Sequence, residues 1–244
     1  MVAANDVEAN VGAGASIVSG DDMAIRARYL GMSSPLVAGK DVTAAAYGGA
    51  LVAGGAQLSL SHAEVDPLLD AFAGAGALLT VGNDLVIDTG YDIDQWADAV
   101  AVTVGAETGA AADARSFANP ESRARLENGA EVTGATDVSI ANAVRGSSEA
   151  TPVAASVSAA GASYVRAEAE GNALAHAYAE GGVTSAASGH VDIASRGSFE
   201  TRAASSGGAG GAARRRRTGG REPRRLRRRR LLEPACGGSA ALAG

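Results

Sequence analysis

The stretch Gly76-Ala77-Leu78-Leu79-Thr80-Val81-Gly82-Asn83-Asp84-Leu85-Val86-Ile87 decides the fold. A glycine opens it, and eight residues later a polar residue precedes an apolar-x-apolar triplet. The pattern recurs. Gly14-Ala15 leads to Asp22-Met23-Ala24-Ile25, Gly129-Ala130 to Asp137-Val138-Ser139-Ile140, and Gly182-Val183 to His190-Val191-Asp192-Ile193. The glycines are 62, 53 and 53 residues apart, which marks an internal repeat. Asp66-Pro67 and Asn119-Pro120 stand at the same phase, each proline nine residues before its glycine, and Gly171-Asn172 takes the place in the next copy. The organisation expected is a lead-in over 1–13 and repeats over 14–75, 76–128 and 129–181. A partial repeat over 182–205 and a basic tail over 206–244 follow.

Within a repeat the period is that of strands. Asp22 to Arg28 and Gln57 to Ser61 alternate apolar and polar residues. Residues 164–180 alternate without a slip, with Val165, Ala167 and Ala169 through Ala179 on one parity and Tyr164, Arg166, Glu168 through Glu180 on the other. Alanine favours helix. A helix would spread these alanines around its circumference, whereas a strand collects them on one face. The expectation is an all-β stack of coils, a β-solenoid. Each coil buries its inner face only against its neighbours. Coils of about 20 residues are the expected unit, two to three per repeat.

Composition agrees with a closely spaced stack. Aromatic residues are 4% of the chain and there are 33 glycines, so the interior must be filled by Ala and Val rather than by large side chains. Charge is divided unevenly. Ten of the 21 Lys and Arg precede residue 206, against 25 of the 27 Asp and Glu. Residues 1–205 therefore carry about −15 and residues 206–244 about +9. An acidic body argues against phosphate-backbone binding there, so no nucleic-acid partner is expected for it. The single cysteine, Cys236, excludes a disulfide framework. No apolar run is long enough to span a membrane. No signal peptide is visible, and the chain reads as a fragment of a longer array.

The tail from Ser205 onward is Gly-rich and then Arg-rich, with eleven Arg between 214 and 230. Such a run is either a cationic arm for nucleic acid or anionic membrane, or an out-of-frame reading of GC-rich codons. Disorder is expected in both cases.

Sites are sparse. Asp92 and Asp94 share one side of a strand and could act as a carboxylate pair on a polysaccharide. A solvated acidic face is the plainer reading. Gly82-Asn83-Asp84 echoes calcium-binding repeats, but those need tandem copies, and here the next copy is 53 residues on. Ser61, His62 and His176 are parts of a triad without a nucleophile elbow. Gly39-Lys40-Asp41 lacks the spacing and hydroxyl of a phosphate loop. Tyr91 and Trp96 are either an exposed aromatic contact or a buried corner. No catalytic, cofactor-binding or metal residue is assigned, and no cofactor.

The Gly-x-Asp/Asn-Asp turns into apolar-x-apolar strands (Gly20-Asp21-Asp22-Met23-Ala24-Ile25; Gly82-Asn83-Asp84-Leu85-Val86-Ile87) and the Ala/Gly/Val-rich coils such as Val157-Ser158-Ala159-Ala160-Gly161-Ala162 resemble bacterial filamentous adhesins. These include the filamentous haemagglutinins and the leukotoxin-type repetitive adhesins. The resemblance covers roughly residues 10–205. It implies a right-handed parallel β-helix, exported to the cell surface or secreted, that is non-catalytic and attaches to host cells, matrix or other bacteria. The secretion-recognition domain of such proteins is missing from this sequence. A fragment of a β-helix polysaccharide-active enzyme, a lyase or hydrolase, is the alternative.

Overall fold

The computed structural model describes residues 2–3, 6–30, 40–210 and 213–216. It is all-β, with no helix among the described residues, and its strands lie in three curled sheets. Strand pairing is parallel throughout, and its register is the sequence repeat. Leu68–Ala73 pairs with Glu121–Leu126, which pairs with Leu174–Ala179, each residue against the one 53 later. Leu78–Val81, Glu131–Thr133 and Thr184–Ala186 do the same in the second sheet. The earliest copy, Asp6–Val11, sits 62 residues from its partner Leu68–Ala73. That offset persists to Leu30 beside Asp92 and becomes 53 by Val42 beside Gln95. The nine extra residues of the first repeat are thus confined to the connection between Leu30 and Val42.

The chain returns beside itself once per repeat, not two or three times. Coils of about 20 residues are therefore incorrect for this chain. The reason lies in the strand Leu85–Ala118, 34 residues long. Apart from Asp98, its buried positions are odd from Leu85 to Thr103 and even from Thr108 to Ala118, so the inward parity switches around Gly105. The switch is where the strand doubles back. A Cβ on Gly105 would lie 1.7 Å from the carbonyl of Val52, so only glycine passes there. Ala97, Ala99 and Ala101 of the outgoing leg then pack against Ala110, Ala112 and Ala114 of the returning leg. Methyl groups on both legs let two sheets approach with nothing between them. The 53 residues form one long, narrow circuit instead of several short ones.

The circuit has two interiors. The expectation of an interior of Ala and Val needs correction at the wide end, which is filled by Leu69, Leu79, Leu85, Ile87, Tyr91 and Ile93, with Tyr29 stacked 6.0 Å from Tyr91. The thin lobe is filled by alanine. Buried hydroxyl and amide groups tie the opposing walls where the two meet. Ser122 donates to Thr89 Oγ1 at 2.8 Å, Asn142 to the Ser122 carbonyl at 2.6 Å, and Ser148 to the Ser116 carbonyl at 2.8 Å. Each of these donors has an acceptor in the interior, while Asn142 Oδ1 accepts no hydrogen bond.

The repeat-opening glycines Gly14, Gly76, Gly129 and Gly182 have φ of 67–74°, the left-handed turn conformation that glycine adopts without steric cost. The polar residues of the turns bond from coil to coil. Asp22 accepts from the N–H of Asp84, Asp84 from that of Asp137, and Asp137 from that of His190. Asp66, Asn119 and Asn172 form a second such column.

Residues 164–180 are extended apart from the break at Asn172-Ala173, as the alternation predicts. The expectation of disorder from residue 206 needs correction where the tail is described. Ser206–Gly210 pairs with Val153–Val157, and Ala213–Arg216 with Ala160–Ser163, still at an offset of 53. The small residues of Ser206–Gly210 need no packing partner to join an edge whose backbone donors and acceptors are already aligned. The remainder of the Arg-rich tail, with Cys236, lies outside the described residues.

Candidate binding groove

The register assembles a groove on the outer face of the wide end. Asp92 stands beside Arg145 and Arg145 beside Ser198; Asp94 stands beside Ser147 and Ser147 beside Glu200. These six side chains line a cavity of about 630 Å³. Its floor is bare backbone at Gly146, between Ile93 and Phe199. A Cβ there would lie 2.1 Å from the Ile93 carbonyl, and φ is 146°. Ser147 donates to Asp94 Oδ1 at 2.5 Å, and the Asp94 N–H donates to Asp41 Oδ2 at 2.9 Å. The first bond orients the Asp94 carboxylate, and the second holds the Asp41 carboxylate beside it.

A smaller cavity of about 190 Å³ continues the groove and shares Asp92 and Arg145. Arg28 and Asp88 line it and are ion-paired at 2.7 Å, and Arg26, outside the cavity, pairs with the same carboxylate at 2.7 Å. Gly90 and Ala143 form its shallow base. Leu30 stands beside Asp92, and the Asp41 N–H donates to the Asp94 carbonyl at 2.8 Å. The groove therefore offers carboxylates, the guanidiniums of Arg28 and Arg145, and hydroxyls around a small-residue floor. That chemistry can hydrogen-bond a polyhydroxylated or zwitterionic ligand.

Asp92 and Asp94 do share one face. Arg145, Ser147, Ser198 and Glu200 were not singled out in the sequence, although each stands 53 or 106 residues after one of the two aspartates. The other candidates scatter. Ser61 is buried while His62 faces outward and meets Glu64 at 3.0 Å, which holds the Glu64 carboxyl below its usual range. His176 lies in a different sheet, in the column of Asp70 and Arg123. No triad forms from the three. Asn83 donates to Asp22 Oδ1 at 2.7 Å, so the Gly-Asn-Asp turn is engaged in the coil-to-coil column. Among the described residues no group of three or more His, Cys, Asp or Glu is placed to hold a metal ion. Gly39 lies outside the described residues, and Lys40 pairs with Glu149 at 3.3 Å. Tyr91 is buried in the wide core, and burial pushes its phenol up. Trp96 lies in the same strand on the outer parity and donates to Thr151 Oγ1 at 2.8 Å. Tyr91 and Trp96 thus face opposite ways and cannot form one contact.

Two features had no sequence signal of their own. Asp98 is buried beside Tyr47 and Thr151; burial raises its carboxyl, and hydrogen bonds from both neighbours oppose the rise. Arg125 bonds Asp70 and Glu127 and lies 4.2 Å over the Phe72 ring. No family model, no curated protein and no solved structure matches this chain. No helix of the described residues is long and apolar enough to cross a membrane.

Proposed function

We propose that the chain is a non-catalytic segment of a large repetitive adhesin, built as a right-handed parallel β-helix and displayed at the cell surface or secreted. The observation that carries this reading is the constant 53-residue register, maintained from Val42 to Arg216. Such a register can be extended by further repeats without change of geometry, which suits a long shaft with a repeated outer surface. Its partners would be ligands on host cells, matrix or other bacteria, met on outward columns such as the Asp92–Arg145 groove. The test is attachment. The purified chain, immobilised, should retain cells or matrix proteins saturably, and soluble chain should compete. Absence of retention across such a screen would count against it.

The groove itself favours one second reading, a polysaccharide-active enzyme. Asp92, Asp94 and Arg145 line one cavity, as a site for a sugar chain would require. Polysaccharide cleavage by the chain, abolished by Asp92→Asn or Asp94→Asn with the fold retained, would replace the first reading with this one.

A further inference from the structure

The two ends of the stack match each other. Asp6–Val11 and Leu174–Ala179 are the outer strands of one sheet, and Ser16–Ser19 and Thr184–Ala186 those of another. Met23–Leu30 and Val191–Ala203 each pair with one neighbour only. Core-facing side chains are uncovered there. Ile193 ends the column of Ile25, Ile87 and Ile140 and is 46% exposed, and Val191 ends that of Met23, Leu85 and Val138 and is 53% exposed. At the opposite end Ile17, in the column of Leu79 and Val132, is 38% exposed.

The backbone hydrogen bonds between coils run in columns too, and each column has an open next place. The Gly14 N–H donates to the Ala75 carbonyl at 2.9 Å, Gly76 to Asn128 at 3.0 Å and Gly129 to Gly181 at 3.3 Å. The next donor is Gly182, and its acceptor would stand where Ala13 does. Met23 donates to Asp84, Leu85 to Asp137 and Val138 to His190, which leads on to Val191 and Asp22. Two columns run the other way. Gly74 donates to Val11, Glu127 to Ala73 and Glu180 to Leu126, which leads on to the Gly12 N–H and the Ala179 carbonyl. Leu78 donates to Ala15, Glu131 to Ala77 and Thr184 to Ala130, which leads on to Ser16 and Val183. What one end has left to give is thus what the other end has left to take.

We infer that a second copy of this chain stacks on the first, the fourth coil of one against the first coil of the next. An extended peptide would serve a single strand edge. The open columns lie on separate sheets around one circuit, and a coil of this register meets all of them at once. The first coil already holds such a neighbour on its other side, at offsets of 62 up to Leu30 and 53 from Val42. The fourth coil has the spacing of that neighbour, residue for residue, from Val191 to Ala203. The join sets Ile193 against Ile25 and Val191 against Met23, so both apolar columns continue. His176 comes beside Glu8 in register, but Arg196 comes beside Arg28 and Glu200 beside Asp41. Backbone pairing and apolar burial, not charge, therefore drive the contact. The two ends are different surfaces, so the contact is heterologous and grows into a filament. The inference does not rest on the adhesin reading. Association and attachment are measured separately, and either can fail alone.

The experiment is sedimentation velocity of the full chain over a concentration series. The average mass is expected to rise with concentration through a continuous series of oligomers, at high salt as well as low. Ile193→Lys blocks the fourth coil and Ile17→Lys the first, each by a charge in a column that the join must bury. Either variant alone is expected to stay a monomer with an unchanged far-UV circular dichroism spectrum. An equimolar mixture of the two is expected to form a dimer and nothing larger, since one intact end of each kind remains. If a lysine unfolds the chain, Val191→Pro and Ser16→Pro repeat the crossed pair. Each removes only the N–H that the join uses, at the first residue of a strand, where proline is tolerated. A chain that is monomeric at every concentration overturns the inference, as does a mixture that does not dimerise. A folded single variant that still associates overturns it too, because the contact would then join like ends or the sides of the stack. Association that disappears at high salt also overturns it and assigns the contact to the Arg-rich tail on the acidic body.

Discussion

The carboxylate of Asp84 accepts a hydrogen bond from the backbone N–H of Asp137, 53 residues further along the chain. Asp137 does the same for His190. A turn residue in one coil thus fixes the turn of the next. Asp84→Ala should destabilise the fold by about 1–2 kcal/mol, the cost of leaving that N–H without its acceptor. Asp84→Asn keeps an oxygen in place and should cost less. Urea denaturation midpoints of the two variants check the order.

The two interiors should respond oppositely to size. Leu69 fills the wide core and Ala112 the thin lobe, and both are fully buried. Leu69→Ala should cost about 2–5 kcal/mol through the cavity it leaves. Ala112→Leu should cost about 1–3 kcal/mol or more, because the facing leg has no space to give. If Ala112→Leu proves neutral in thermal unfolding, the legs are not in contact as described.

Gly146 forms the floor of the groove at a φ that other residues rarely adopt. Gly146→Ala drives a methyl group into the Ile93 carbonyl. A loss of about 1–3 kcal/mol is expected from the strained backbone, together with a distorted groove. Calorimetry gives the first, and binding of any ligand found for the groove gives the second.

Asp98 should make stability depend on pH. Its carboxyl is raised in the folded protein, chiefly by burial. The folded state therefore holds this proton more tightly than the unfolded chain does. The stabilisation is present below the ordinary carboxylate value and is lost as pH rises through the raised one. Asp98→Asn, which keeps an acceptor for Tyr47 and Thr151, should raise the Tm near neutral pH. The gain should vanish below about pH 3, where the wild-type carboxyl is protonated in both states. An equal gain at all pH values would exclude the buried charge as the cause.

Much of the site was within reach of the sequence. Asp92 and Asp94 stand on one parity of a strand, and adding the repeat length to their numbers leads to Arg145 and Ser147. That step requires knowing that the residue one repeat later is the lateral neighbour, which holds only when each repeat is a single circuit. With shorter coils the neighbours of Asp92 would have been different residues. The buried carboxyl of Asp98 had no sequence signal, because its parity is the outward one and only the packing of Tyr47 and Thr151 around it removes it from water.

The amino-acid sequence by itself determined the local geometry: strands where small and large residues alternate, turns at Gly14, Gly76, Gly129 and Gly182, and the 53-residue period itself. These are short-range consequences of side-chain size and of backbone freedom at glycine. Only the tertiary structure decided the length of a circuit, the split between an aliphatic core and an alanine lobe, and the meeting of Arg145 with the two aspartates. Those depend on which strand faces which across the interior. That choice is set by whether two walls can approach to methyl–methyl contact, a property of the alanines of both legs together, Ala97, Ala99 and Ala101 with Ala110, Ala112 and Ala114, and not of either leg alone.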